Sequence, residues 1–567
     1  MRASRGQERF IAYSPARAVE KLKAVLYQGN PDYTWPRCTH MEHLIHQAIV
    51  KKCRSLLRKE EKRRYILGKY RSKHQLRTGV TAKVTPFRTP GIWSVSSHFD
   101  PRYCLKNSEF LARVIWKRIQ EGQYEPEPAI QVEIPKPNGE KRIIMVFAIP
   151  DAAVANVIFS KLRDKNARLF SPFSYAYLRD RGLFDAIIQL RSHLSGGQSY
   201  LLEMDFSKYF DTIEHRYLEH LFEKGEFNFS SAELYTLRAF LRHRISTAKS
   251  YDLHSEKRRT RGVPQGSSVS LFLANLAGHE LDRRLEAGNG RFVRFADDVV
   301  VVTETHRDAV RAAQSFEEHC KFSGISVNYR KSEGISLFSP RSKLDARSFF
   351  VNVDDGHDLI EKSSFDYLGH KFTRGNVQLS SRSVTRAKNR IAKIIYLNLL
   401  YSLQFGFSPA RVSGSGFDWD LVTCINEIRR YIYGSITEAE IDHFITKGTK
   451  IRPLRGFVGF CALVDDIQQF RELDGWMVDI LQRALKKRYS RIAAHTGSVA
   501  KMVPNHATLI DGSWHHSALG VDTRLPSFVR AWRAARKRFK LHGLEGLKNP
   551  SYYSDFSSGV DGFFYDN

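Results

Sequence analysis

Phe295-Ala296-Asp297-Asp298 sets two adjacent carboxylates between apolar flanks, with Phe292, Val293 and Phe295 on one side and Val299-Val300-Val301-Val302 on the other. β-branched residues at that density predict strands, and an acidic pair inside them is costly unless a cation compensates. A hairpin that presents carboxylates to a divalent metal accounts for the cost; a solvated turn would fit the four residues taken alone. A further acid, Asp205, ends the apolar run Leu201-Leu202-Glu203-Met204, before a turn through Phe206-Ser207-Lys208-Tyr209-Phe210-Asp211. Metal-dependent phosphoryl transfer needs carboxylates from two strands, because two Mg²⁺ ions must be held about 3.5–4 Å apart. Asp205 and the Asp297-Asp298 pair meet that need if their strands lie side by side. Asp211 reads instead as a helix N-terminal acid or a hydrogen-bonding residue.

Between these acids runs Arg261-Gly262-Val263-Pro264-Gln265-Gly266-Ser267-Ser268-Val269-Ser270, then an apolar, helix-like stretch through Leu271, Leu273, Ala274 and Leu276. Gly262 and Gly266 permit backbone conformations and close approaches closed to other residues, and Pro264 stiffens the loop. Gln265, a two-way hydrogen bonder, suits a base or sugar edge.

In this order the segments resemble the palm motifs of reverse transcriptases. Asp205 with Phe210 is similar to motif A, Gly262 to Gly266 to motif B, and Phe295 to Asp298 to motif C. The resemblance extends outward. Pro135 to Arg142 is similar to the fingers hairpin, and Phe173-Ser174-Tyr175-Ala176-Tyr177 through Ala186-Ile187 to the next block. Gly324 to Lys331 resembles motif D, and Phe365 to His370 motif E.

The resemblance implies an α+β right-hand polymerase with fingers, a palm built on an antiparallel sheet, and a helical thumb, flanked by helical N-terminal and C-terminal regions. It implies an RNA-directed DNA polymerase, a nucleotidyltransferase that adds dNTPs to a primer 3′-hydroxyl. Asp205, Asp297 and Asp298 would be the catalytic acids, with the Phe206 carbonyl as an added ligand, for two Mg²⁺ ions or Mn²⁺ in their place. Lys136 and Arg142 would clamp the triphosphate, and Phe210 would exclude a 2′-hydroxyl. Gln265 and Gly266 would line the nucleotide, and Lys331 would serve as general acid.

Stepping outward from the motifs, residues 1–100 read as a basic helical region, 101–378 as fingers and palm, 379–425 as thumb, and 426–567 as a helical C-terminal domain. Val384, Ala387, Ile391, Ile394 and Ile395 recur at helical spacing, leaving Arg386, Lys388, Arg390 and Lys393 to grip a template–primer duplex. Leu421, Ile425, Ile428 and Ile432 predict a helix ended by Gly434, and Thr437 with Glu440 reads as a capping box. Trp476 to Tyr489 is a further helix. Arg530 and Arg533 lead a second basic stretch, Ser527 to Lys540, which reads as nucleic-acid-binding; Lys51 to Lys73 crowds cations in the same way.

Several patterns are assigned no chemistry. Cys38, His40, His43 and His46 match no standard zinc spacing. Asp354-Asp355 and Asp465-Asp466 have no partner motifs, and the Arg488 and His495 spacing of some helical RNases means little in so Arg-rich a chain.

The 567 residues carry 89 Lys+Arg against 60 Asp+Glu, a net charge of +29, which points to a polyanionic partner along a long groove. Six scattered cysteines without a C-x-x-C pair argue against a disulfide framework or a zinc ribbon. No apolar run approaches the roughly 18 residues of a membrane span, and the first residues lack a signal-peptide core; a cytoplasmic protein with no membrane partner is expected. Group II intron enzymes usually carry Gly-Gly and then Ser-Pro after Pro-Gln, whereas Gly266 is followed here by Ser267-Ser268-Val269-Ser270. That version resembles the abortive-infection and defence-associated bacterial enzymes. The resemblance then implies a noncoding RNA as template or partner, a DNA product and self-association. An intron maturase-like or retron-like enzyme is the alternative, and an inactive RNA-binding scaffold the alternative of another class.

Overall fold

The computed structural model describes residues 39–83, 87–135, 139–194, 197–339, 349–353, 357–373, 375–412, 417–497, 503–515 and 521–547. Helix α1 (Thr39–Thr78) opens the described chain. It buries Ile45, Ile49, Cys53 and Leu56, one helical face, in the core that also holds the fingers. Strands β1 (Ala129–Pro135) and β2 (Lys141–Val146) pair antiparallel, from Ile130 opposite Val146 to Pro135 opposite Lys141.

The palm is a six-stranded sheet around β3 (Ser199–Met204). Helix α2 (Val269–Ala277) packs into the same core as the fingers and the palm's inner face. After it come β4 (Arg291–Phe295), β5 (Asp298–Thr303), β6 (Gly334–Phe338), β7 (Phe349–Val353) and β8 (His357–Lys362). The strand order is β7-β8-β6-β3-β5-β4. Its pairs are antiparallel except β8 on β6, which is parallel. The segment between motifs D and E thus supplies two strands that widen the sheet.

Both faces of this sheet are covered, which is why β5 reads as an unbroken valine run. Val299 and Val301 face the core shared with the fingers and α1. Val300 and Val302 face a second core, formed with the thumb and C-terminal helices.

The second core contains a three-stranded sheet, β9 (Ser364–Tyr367), β10 (His370–Thr373) and β11 (Asn376–Leu379). Helices α3 (Ser381–Ile395), α4 (Trp419–Tyr433), α5 (Gln468–Thr496) and α6 (Phe528–His542) complete it. Gly434 closes α4, and the Thr437–Glu440 capping box opens the next helix. Helix α5 begins well before Trp476, because Phe470 and Leu473 carry its apolar stripe toward the N-terminus. Position 425 falls inside α4.

An ion-pair network joins these parts. Arg488, sealed from solvent, donates to Asp418 Oδ2 at 2.7 Å, Asp420 Oδ2 at 3.0 Å and the Leu399 carbonyl at 3.0 Å. From the far end of α1, Arg77 reaches Asp420 Oδ1 at 2.9 Å and Asn398 Oδ1 at 2.6 Å. Arg488 is a structural cation.

Candidate active site

The register of β3 against β5 ends at Met204 opposite Val299. One residue further along each strand stand Asp205 and Asp298. On the other side of β5, Phe295 pairs with Asp298, leaving Ala296-Asp297 as a two-residue hairpin turn. All three sequence-predicted acids therefore meet at one end of the sheet. Ala296 takes φ +61°, in the left-handed region, where a non-glycine residue costs on the order of 1–3 kcal/mol unless its surroundings hold it.

Arg294 does the holding. Its side chain is wholly buried and donates to both oxygens of buried Asp282, at 2.6 and 2.5 Å. A further N–H goes to the Ala296 carbonyl at 3.1 Å. Tyr367 of β9, also buried, donates its hydroxyl to the Asp298 carbonyl at 3.1 Å, pinning motif E beneath the turn. Neither Arg294 nor Asp282 was singled out from sequence. The available signal was an arginine within Phe292-Val293-Arg294-Phe295, since a cation inside a buried strand requires a partner.

Asp205 is clasped from the motif D side. Its backbone N–H donates to the Ser332 hydroxyl at 2.9 Å, and its carbonyl accepts from the Asn328 N–H at 2.7 Å. Lys331 Nζ lies 3.8 Å from Asp205 Oδ2, on an exposed side chain. Burial raises the Asp205 carboxyl above its ordinary range, with Lys331 opposing. Burial also raises Asp297, and the Asp205 charge adds to it, while Arg142 and Arg294 pull the other way. Asp298 is pushed up to about 7 by its surroundings and by the charges of Asp297 and Asp205.

Three mutually repelling carboxylates, short of positive charge, make a hard-oxygen donor set for a divalent cation. Among the described residues no three His, Cys, Asp or Glu side chains stand close enough to cage an ion.

The motif B loop is fastened to both sides of the site. Gly262 has φ +73°, and a Cβ there would come within 2.6 Å of the Phe210 and Asp211 carbonyls. Gly266 has φ +114°, and its Cβ would meet the Met145 carbonyl at 2.4 Å. Backbone bonds run from Val263 N–H to the Phe210 carbonyl and from Met145 N–H to the Gln265 carbonyl, each 2.7 Å. The loop thereby locks half-buried Phe210 against strand β2 of the fingers. Asp211 organises it further, accepting from Gln265 Nε2 at 3.2 Å and from Arg259 at 3.3 Å. The Gln265 amide is thus engaged within the protein, where the sequence suggested a free edge for a base.

Arg142 is exposed on β2, within electrostatic reach of Asp297. Lys136 lies outside the described residues, as do Asp354-Asp355 and Cys38. Tyr177, at φ +62°, has its phenol raised by burial and then by Asp297 and Asp298, which sets it beside the acids.

On α3, Arg386, Arg390 and Lys393 are exposed, whereas Lys388 sits 5.6 Å over the Trp476 ring. Arg530 is half-buried, 3.3 Å from Glu438 and donating to the Leu525 carbonyl at 3.0 Å. Arg533 of the same helix is exposed. Asp465 and Asp466 hold β11, through the Val377 N–H and the Gln378 side chain.

Residues 134–372 match the family described as reverse transcriptase (RNA-dependent DNA polymerase). Protein YkfC of Escherichia coli (strain K12) is 28% identical over 299 residues, covering 46% of this chain and 71% of that protein. The putative COX1/OXI3 intron 2 protein of Saccharomyces cerevisiae is 29% identical over 175 residues, covering 30% of this chain and 19% of the yeast protein. Apo telomerase from Candida tropicalis shows a TM-score of 0.34 at 12% identity over 66% of each chain, a likeness too low to add to the assignment.

Proposed function

From a chain whose residues 134–372 form a reverse transcriptase domain, an RNA-directed DNA polymerase of the intron-like lineage, we propose an enzyme that copies a dedicated noncoding RNA into DNA in bacterial antiphage defence. The observation that carries the catalytic part is the β3–β5 register, which brings Asp205 to Asp298 and the Asp297 turn.

Asp205 and Asp297, with the Phe206 carbonyl, would hold two Mg²⁺ ions, or Mn²⁺ in their place, and Asp298 would contribute less directly. Bound there, the metals would acidify the primer 3′-hydroxyl and neutralise the departing pyrophosphate. The rest falls to the chain. Arg142, with Lys136, binds the triphosphate of the incoming dNTP. Phe210 lies under the sugar and excludes a 2′-hydroxyl, while Gln265 and Gly266 shape that wall through the loop they belong to. Lys331 is placed to hand a proton to the leaving group, its Nζ standing next to Asp205. Arg386, Arg390 and Lys393 grip the duplex backbone, the sequence-independent part of the affinity.

The defence assignment is supported by Ser267-Ser268-Val269-Ser270 after Gly266. It predicts a cytoplasmic enzyme; among the described residues no helix is long and apolar enough to cross a membrane. A second reading, an intron maturase-like enzyme, is favoured by the similarity to the yeast intron protein.

Sequencing the nucleic acid that copurifies with the chain separates the two. DNA complementary to one noncoding RNA supports the first reading, and intron RNA alone supports the second. Asp297→Ala with Asp298→Ala should abolish dNTP incorporation and leave RNA binding intact; persistent synthesis refutes the site.

A further inference from the structure

Helix α1 is buried toward both ends and largely exposed in the middle. Its first half is buried in the fingers core through Leu56 and Glu60, and its last turn is buried against the thumb through His74, Arg77 and Thr78. From 61 to 73 no residue is buried, although the helix continues unbroken. At 1.5 Å per residue this largely exposed span is roughly 20 Å long.

A strut between two bodies is ordinarily polar all round. This one departs from that in two ways. Its charge is one-sided: Lys62, Arg63, Arg64, Lys69, Arg71 and Lys73 share the span with Glu61, while Arg64 also meets Glu60 at 3.5 Å and Lys73 meets Glu427 at 3.2 Å. It also exposes large apolar side chains among those cations, Tyr65 by 59%, Ile66 by 52% and Tyr70 by 41%.

The rings do not stop at the helix. Tyr70 and His74 have centroids 6.0 Å apart, His74 and Phe405 5.2 Å, Phe405 and Tyr401 5.3 Å, and Tyr401 and Tyr396 5.9 Å. Tyr396 follows directly on α3, whose exposed stripe is Arg386, Arg390 and Lys393. Exposed Tyr70, Phe405 and Tyr396, linked beneath the surface by buried His74 and half-buried Tyr401, thus carry an aromatic and basic face from the duplex-gripping side of the thumb to the exposed span of α1.

We propose that this surface is a track for single-stranded polynucleotide, the RNA template beyond the duplex. The proposal rests on the reverse transcriptase reading and deepens it. Cations spaced along a helix neutralise successive phosphates. Exposed rings stack on base faces, which are free in a single strand and hidden in a duplex. That difference is what selects an unpaired strand here.

The test uses the full-length protein and labelled RNA–DNA hybrids, one with a minimal template overhang and one whose unpaired RNA template extends about 12 nucleotides further. Fluorescence anisotropy should show about tenfold tighter binding of the extended hybrid. Lys62→Glu with Lys69→Glu should remove that gain, keep the affinity for the minimal hybrid, and lower the salt slope on the extended one by about 1.4, two phosphates at 0.7 each. Tyr65→Ala with Tyr70→Ala should remove the gain without changing the slope. A wild-type protein that binds both hybrids equally, or variants that keep the gain, overturns the track. With an unpaired DNA extension, a gain equal to or below that with RNA supports the proposal, and a gain confined to DNA overturns its assignment to the template. Failure of dNTP incorporation on the minimal hybrid would sink the polymerase reading by itself, since the binding comparison needs no turnover.

Discussion

Arg294 and Asp282 separate what keeps this palm folded from what keeps it active. Asp282→Asn leaves the sealed Arg294 guanidinium facing a neutral amide in place of a carboxylate 2.5 and 2.6 Å away. Stranding one charge of a buried pair costs about 3–5 kcal/mol, so the unfolding free energy should fall by that amount and the urea transition should move to lower concentration. Replacing both partners, Arg294→Met with Asp282→Leu, removes the stranded charge, and apolar substitutes for a buried pair are neutral or stabilising by about 1–4 kcal/mol. Stability should therefore return. Activity should not, because Met cannot donate to the Ala296 carbonyl, which the guanidinium now reaches at 3.1 Å. A hydrogen bond from a charged group contributes about 1.5–3 kcal/mol. If all of it serves to hold the strained Ala296-Asp297 turn, kcat falls about 10- to 150-fold. The assays are urea unfolding followed by tryptophan fluorescence and steady-state dNTP incorporation on one primed template. A double variant that is stable and fully active would refute the claim that Arg294 positions the acids. An Asp282→Asn protein with an unshifted transition would refute the buried-pair reasoning.

Other outcomes follow from the same site. Asp298 carries a folded pKa of about 7 against an ordinary value near 4, so the fold favours its protonated form. That contribution is lost as pH rises from about 4 to 7, so metal-free protein should melt at lower temperature at pH 8 than at pH 5.5. Mg²⁺ should raise the melting temperature more at pH 8, and Asp298→Asn should flatten the difference; a calorimetric pH series checks both. Phe210→Val should raise ribonucleotide incorporation at least about tenfold relative to dNTPs, by analogy with one lost steric contact, and unchanged selectivity in a competition assay counts against the sugar-gate role. Gly266→Ala should cut incorporation by about 100-fold or more through displacement of the loop from Met145, with the overall fold retained by circular dichroism; wild-type activity would show that the close approach is dispensable.

Much of this was written in the order of residues. The valine run after Asp298 specified a strand buried on both faces, and the acids at strand ends specified where the chemistry would sit, because side-chain alternation and charge burial are local physics. The Thr437–Glu440 cap and the Gly434 stop were legible for the same reason. Packing decided the rest. The partner of Arg294 is an acid on a helix rather than on a neighbouring strand, and no spacing rule connects them. The exposed look of Arg530 in the sequence gave way to Glu438, because a buried carboxylate draws whichever cation the fold brings within reach. Helix α1 shows the division most plainly. Its basic composition could be read at once, but that it leaves the fingers, crosses roughly 20 Å largely exposed and ties down on the thumb through Arg77 depends on contacts between residues hundreds of positions apart. Local sequence sets which elements form and which faces are apolar; the pairing of distant surfaces, and with it the convergence of Asp205 on the Asp297-Asp298 turn, is set by which burial satisfies every charge at once.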